Sequence, residues 1–316
     1  MEERGMHLCF IIEEQYRRDS MPLVVVRRLV KRGHAVNLLE PGRTVTSLSS
    51  LATEPYDAYV LKTVSDGPGL SILQAAEAVG ILTINNSRAI RLVRDKAIFT
   101  AFAQAYGLPI PPSYFMVHPR LLKEIPRGDY PLVVKPTNGS SGRGIYRVNS
   151  PGELGALEVS GPSLCFFLAQ RYLENSGYDI KLYVIGNDVY GVARTSPLHP
   201  ELAMESHAIP VKPEWLELAR RVGELFGLEI FGMDVLETSK GPVIVDVNDF
   251  PSFGSVPGAV SRIANYIVQL AQDSQLKRRR PVYDRGSLRA VSSPSMARPL
   301  GNGTIVAPAP SRSARS

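Results

Sequence analysis

The segment 231–252, Phe-Gly-Met-Asp-Val-Leu-Glu-Thr-Ser-Lys-Gly-Pro-Val-Ile-Val-Asp-Val-Asn-Asp-Phe-Pro-Ser, constrains this chain more than any other. Two β-branched, alternating runs flank Ser239-Lys240-Gly241, the pattern of a β-hairpin. A turn centred on Lys240 sets Asp234 opposite Asp246, and strand alternation adds Asn248 to the same face. The other face then carries Phe231, Met233, Val235, Val243, Val245 and Val247, an apolar stripe for a core. Carboxylates paired across strands lie roughly 5 Å apart at Cβ. Like charges that close repel unless a proton or a cation lies between them. Three oxygen-bearing side chains at one point suit Mg²⁺, which takes hard ligands and keeps part of its shell for waters and substrate phosphates. On this reading Asp246→Asn relieves repulsion in the metal-free protein and leaves the fold intact. A hairpin whose solvent face is merely polar is the alternative on this segment alone.

At 316 residues the chain can bury a large core and is expected to hold two or three subdomains. No apolar run is long enough to span a bilayer and the N-terminus lacks a signal-peptide pattern, so no membrane partner is expected. Cys9 and Cys165 sit in apolar runs without metal-ligand spacing, which points to a reducing, cytoplasmic setting with both thiols in the core. The five histidines likewise show no ligand spacing. The net charge of +6 is unevenly spread: residues 277–316 hold nine Lys or Arg and one acidic residue, leaving −2 for residues 1–276. This Pro-, Ser-, Ala- and Gly-rich tail has no apolar periodicity and is expected to be disordered. Its Lys277-Arg278-Arg279-Arg280 run allows a weak contact with nucleic acid or acidic lipid, a solvated end being the plainer reading. The body offers no basic, aromatic-laced surface, which argues against dedicated nucleic-acid binding.

Strands are expected at residues 6–12, 35–39, 57–62 and 81–84, with helices at 22–31 and 71–79 between them. That alternation predicts a small parallel α/β domain over residues 1–85. Asn86-Ser87 then caps one long helix over about 88–106, ended by Gly107. Further helices are expected at 213–226 and 257–271.

Two segments have the residues to hold an anion, although a flexible glycine-rich turn would look the same as the first. Residues 131–136, Pro-Leu-Val-Val-Lys-Pro, read as a buried strand ending in Lys135, which runs into Thr-Asn-Gly-Ser-Ser-Gly-Arg-Gly. Small residues at Gly139, Ser140, Ser141, Gly142 and Gly144 let backbone N–H groups cup an anion beside Lys135. No Gly-Lys-Ser/Thr opens a helix here, so this is not a Walker A loop. Residues 178–194 form a second hairpin, with Asp179, Lys181 and Arg194 on one face. Such a face needs an anion or carboxylate for company; simple solvation of an exposed face is the alternative.

Together these pieces resemble the ATP-grasp superfamily, and within it the RimK-like amino-acid and peptide ligases. Arg94-Asp95-Lys96, Val134-Lys135-Pro136, Gln170-Arg-Tyr-Leu-Glu174 and Val247-Asn248 with Pro251 carry the resemblance. It implies a fold of mixed α/β and α+β class: a small N-terminal parallel α/β domain, then two α+β subdomains clasping ATP. The ATP-grasp domain would span 86–275, its flap subdomain about 110–170 and its metal-site subdomain about 171–275, with the tail at 276–316. It further implies that Lys96 and Lys135 contact ATP phosphates, that 139–144 form the flap, and that Gln170, Tyr172 and Leu173 meet the adenine. Asp234, Asp246 and Asn248 would hold Mg²⁺, or Mn²⁺ in its place, leaving Asp179, Lys181 and Arg194 facing the reacting groups. The expected activity is carboxylate–amine ligation on a small amino acid or peptide.

The chain departs from the RimK-like pattern in having Asp246-Val-Asn248 where Glu-x-Asn is usual. Asp-Val-Asn-Asp-Phe-Pro, Val60-Leu61-Lys62 and Arg194-Thr-Ser-Pro197 are similar to the inositol trisphosphate kinase branch. Phosphorylation of a polyol hydroxyl, with Lys62, Lys181 and Arg194 on acceptor phosphates, therefore stays open. So do a nucleotide-binding regulatory protein without catalysis and a homo-oligomeric state.

Overall fold

Apolar residues at successive rather than alternate positions mark strands buried on both faces. β1 (His7–Ile12) and β3 (Ala58–Lys62) are of this kind. With β2 (Ala35–Leu39) and β4 (Leu82–Ile84) they form a parallel sheet in the order β2-β1-β3-β4. α1 (Ser20–Lys31) and α2 (Pro68–Ala78) make the crossovers. The computed structural model describes every residue except 1–4, 18–19, 55, 63–66, 138–143, 157–165, 200, 202–203 and 280–316. Cys9 lies in the core between β1 and α2, where burial first and then Glu54 push its thiol up to about 12. Cys165 lies outside the described residues.

The single helix expected over 88–106 is two. α3 (Ser87–Arg94) starts at Asn86, whose side chain accepts from Arg88 N and Ala89 N. Asp95 then adopts an extended conformation (φ −84°, ψ 107°) and caps α4 (Lys96–Ala105) by accepting from Ala97 N and Ile98 N. Asn85 fastens this crossing point to the rest of the fold. Its amide nitrogen donates to Ile230 O (2.7 Å), and its amide oxygen accepts from Glu229 N and Ile230 N (2.9 Å each).

Two antiparallel sheets follow. β5 (Ser113–Met116), β6 (Leu132–Pro136), β7 (Tyr146–Val148) and β8 (Phe167–Arg171) assemble in the order β5-β8-β6-β7. β9 (Tyr178–Ile185), β10 (Asp188–Thr195), β11 (His207–Ile209), β12 (Ile230–Thr238) and β13 (Gly241–Asp249) give β11-β10-β9-β12-β13. α5 (Pro213–Phe226) spans the expected residues and ends on left-handed Gly227. It joins α3 and α4 in covering one face of this larger sheet, burying Trp215, Leu218, Phe226, Phe231, Met233 and Ile244 together. The last helix, α6 (Ala259–Arg279), continues eight residues past its expected end and enters the basic segment read as tail. Met1–Lys277 forms one compact unit. Among the described residues no helix is long and apolar enough to cross a membrane.

Candidate active site

The face of the larger sheet opposite α3, α4 and α5 changes character along its strands. At one end Tyr183, Ile185, Val192 and Ile230 pack with α6 and the parallel sheet. At the other, the register Arg194↔Asp179, Lys181↔Asp234 and Asp234↔Asp246 gathers the charged residues, with Asn248 two positions on. The hairpin hypothesis thus holds at its centre but for a different reason. The turn is the two-residue Ser239-Lys240, which pairs Thr238 with Gly241 and Val235 with Ile244. Continued unchanged, that register would set Asp234 against Val245 and turn Asp246 to the opposite face. A β-bulge between Asp234 and Val235 shifts the pairing by one residue and restores Asp234↔Asp246. The expected apolar stripe changes with it: Ile244 enters the core, whereas Val245 lines the cavity and Val243 is only half-buried.

Bare carboxylates do not face each other here. Lys181 Nζ stands 2.9 Å from Asp234 Oδ1, Arg194 Nη2 is 3.0 Å from Asp234 Oδ2, and Lys96 Nζ is 2.8 Å from Asp246 Oδ1. Burial pushes the Asp246 carboxyl up, but Lys96, Lys135 and Lys181 outweigh it and hold the group below the usual carboxylate range. Asp179 goes the other way, raised by burial and by neighbouring Asp234. Gly232, opposite Asn248, leaves room for this cluster: a Cβ there would lie 2.9 Å from Pro251 Cγ and 3.3 Å from Lys181 Cε.

These residues line a cavity of about 610 Å³ together with Lys135, Gln170, Tyr172 and Leu173. Apart from the mutually neutralising Arg94–Asp249 ion pair, six cationic side chains (Lys62, Lys96, Lys135, Arg171, Lys181, Arg194) line it against three carboxylates, an excess of three positive charges suited to a polyanion. Gln170 donates to Ser113 Oγ (3.0 Å), and the Tyr172 hydroxyl meets His199 Nε2 at 3.1 Å. Gly144 closes the expected flap in a left-handed conformation (φ 71°). Gly139, Ser140, Ser141 and Gly142 lie outside the described residues. The sequence reading gave no site role to Arg94, Asp249 or Tyr16, and placed Lys62 at the site only for a kinase. Arg94 and Asp249 belonged to quoted motifs, so the signal was in view; Tyr16 had none.

Lys135 is buried and donates to Val245 O (2.7 Å). Burial lowers its ammonium to about 8, with Asp246 opposing the shift. A bound phosphate would favour the charged form. Nucleotide binding at pH 8 is therefore expected to take up a proton, and affinity to weaken as pH rises from 7 to 9. Calorimetry in buffers of different ionisation enthalpy checks this; uptake that persists unchanged in Lys135→Arg would assign the proton to another group.

The donor set fits Mg²⁺. Asp234 Oδ1 is buried and, although close to Lys181, receives no aligned hydrogen bond. Among the described residues no three His, Cys, Asp or Glu side chains cluster to hold a metal; Asn248, two residues after Asp246 on the same strand face, could add its amide oxygen to the two carboxylates.

Residues 118–264 match the family model of the RimK-like ATP-grasp domain. A relative named probable alpha-L-glutamate ligase 2, from Shewanella sp. (strain MR-4), is 24% identical over 285 residues, covering 82% of this chain and 95% of its own. The RimK domain ATP-grasp protein of Sphaerobacter thermophilus superposes with a TM-score of 0.63 at 18% identity, over 83% of this chain and 99% of that one. The ATP-grasp ligase PsnB, complexed with a minimal precursor, Mg and ADP, does so with 0.64 at 18% identity, over 84% and 98%. The fold is ATP-grasp.

Proposed function

We propose, from the match of residues 118–264 to the RimK-like ATP-grasp domain, that this chain is an ATP- and Mg²⁺-dependent carboxylate–amine ligase acting on a small amino acid or peptide. The observation that carries this reading is the convergence of Asp179, Lys181, Arg194, Asp234, Asp246 and Asn248 on one sheet face, with Lys96 and Lys135 lining the same cavity. Asp234, Asp246 and Asn248 would hold Mg²⁺, which when bound offsets charge on the transferring phosphoryl group. Lys135 and Lys96 hold the nucleotide's phosphates, and Gln170, Tyr172 and Leu173 border its base. The substrate carboxylate takes the γ-phosphoryl group, giving ADP and an acyl phosphate. An amine then attacks the acyl carbon and phosphate leaves. Arg194, its fork fixed against Asp234, binds the carboxylate and then the tetrahedral oxyanion. A cytoplasmic setting, where ATP is at hand, accompanies this reading.

The test is to supply Mg·ATP with pools of amino acids and peptides and measure ADP and inorganic phosphate together. Ligation releases the two in equal amounts, and only when carboxylate and amine are both present. ADP without matching phosphate, alongside a stable phosphorylated alcohol, would overturn the proposal in favour of a kinase.

A further inference from the structure

We propose that Arg94 and Asp249 are positioning residues that fix the metal-binding end of β13, an inference that rests on the ligase reading. Arg94 Nε lies 2.8 Å from Asp249 Oδ1 and its Nη2 donates to Asp249 Oδ2 at 3.0 Å. The ion pair is close, with its one aligned hydrogen bond running from Nη2, and the Asp249 side chain is only 4% exposed. Two residues on, Lys96 holds Asp246. In a continuous helix residues 94 and 96 would point about 200° apart. The extended Asp95 is what lets both reach one strand.

The two prongs meet opposite faces of β13. Asp246 pairs with Asp234 on the charged face, and Asp249 pairs with Phe231 on the helix-covered one. Asn248 lies between them. The base of the clamp is itself held: Glu77 of α2 accepts from Asn86 Nδ2 (2.7 Å) and Ser87 N (2.9 Å) at the start of α3. Lys96 N also donates to Thr137 O (3.3 Å), tying the same elbow to the strand that carries Lys135. Immediately after Asp249 the chain leaves the sheet through Phe250, a buried non-glycine residue at φ 44°. Without the pair, the last residues of β13 would have a strained exit on one side and a bulge on the other.

The experiment titrates ATP calorimetrically against the full-length protein, in EDTA and at rising Mg²⁺, for wild type, Arg94→Lys, Asp249→Asn and the double variant. The single variants are expected to bind ATP in EDTA within about twofold of wild type, yet to need about tenfold more Mg²⁺ for half-maximal enhancement. The double variant should be no worse than the worse single, because both break one pair. Thermal melting shows which variants stay folded, and Arg94→Lys keeps a cation beside Asp249 should Asp249→Asn not fold. An unchanged Mg²⁺ requirement in a folded single variant, or effects that add in the double, would overturn the proposal. Wild type that ignores ATP with and without Mg²⁺ would instead overturn the nucleotide-dependent reading beneath it.

Discussion

Asp246→Asn is expected to lower ATP turnover at saturating Mg²⁺ by about 10²–10³-fold, the loss typical of removing one preorganised electrostatic contact at a reacting centre. A neutral amide replaces an anionic oxygen for a cation that prefers hard, charged donors. The same change is expected to destabilise the nucleotide-free protein, contrary to the expectation from the hairpin alone. That expectation assumed two bare carboxylates in repulsion, whereas Asp246 is paired with Lys96 at 2.8 Å and held ionised by Lys135 and Lys181 as well. Asparagine retains an acceptor for Lys96 but leaves a cation-rich cluster short of one negative charge. The expected cost is about 1.5–3 kcal/mol, the range for hydrogen bonds to charged groups. Steady-state kinetics and thermal melts without nucleotide check the two effects separately. Wild-type turnover would remove Asp246 from the metal site, and an unshifted melting temperature would show that its ion pair contributes nothing.

Arg194→Lys is expected to lower kcat by about 10²-fold while Mg·ATP affinity changes by less than a few-fold. Burial works against the guanidinium's charge, but Asp234 and Asp179 outweigh it, so the group stays fully ionised. Its Nη2 is 3.0 Å from Asp234 and 3.8 Å from Asp179, which fixes the planar fork against the sheet. A lysine keeps the charge but has no fork, so it cannot hold both oxygens of a carboxylate in plane. The role proposed for Arg194 acts on the acyl group and not on the nucleotide; the split between kcat and nucleotide affinity therefore identifies it. A loss of Mg·ATP affinity with kcat unchanged would move Arg194 to the nucleotide side of the site.

The sequence by itself determined the parallel order of the first domain. Its strands alternate with helices along the chain, and the central β1 and β3 are apolar at nearly every position, so they must be covered on both faces. It also determined which residues share a sheet face in 178–194, since alternation depends only on local backbone geometry. Asp179, Lys181 and Arg194 were legible for that reason. Asp234, Asp246 and Asn248 were legible too, though the turn-centred argument reached their register only because a bulge supplied the missing residue. A bulge leaves no periodic mark, and whether it sits before or after Asp246 decides which face the carboxylate meets. Tertiary structure alone decided the helix break at Asp95. Locally, 88–106 reads as one long helix, and only the position of β13 makes it better to stop and let Arg94 and Lys96 reach it. The counter-ions were hidden for the same reason: Lys96 lies 150 residues from Asp246 and Arg94 155 from Asp249. No pattern within a segment fixes which distant cation will neutralise which carboxylate, because that depends on where three separately formed sheets come to rest.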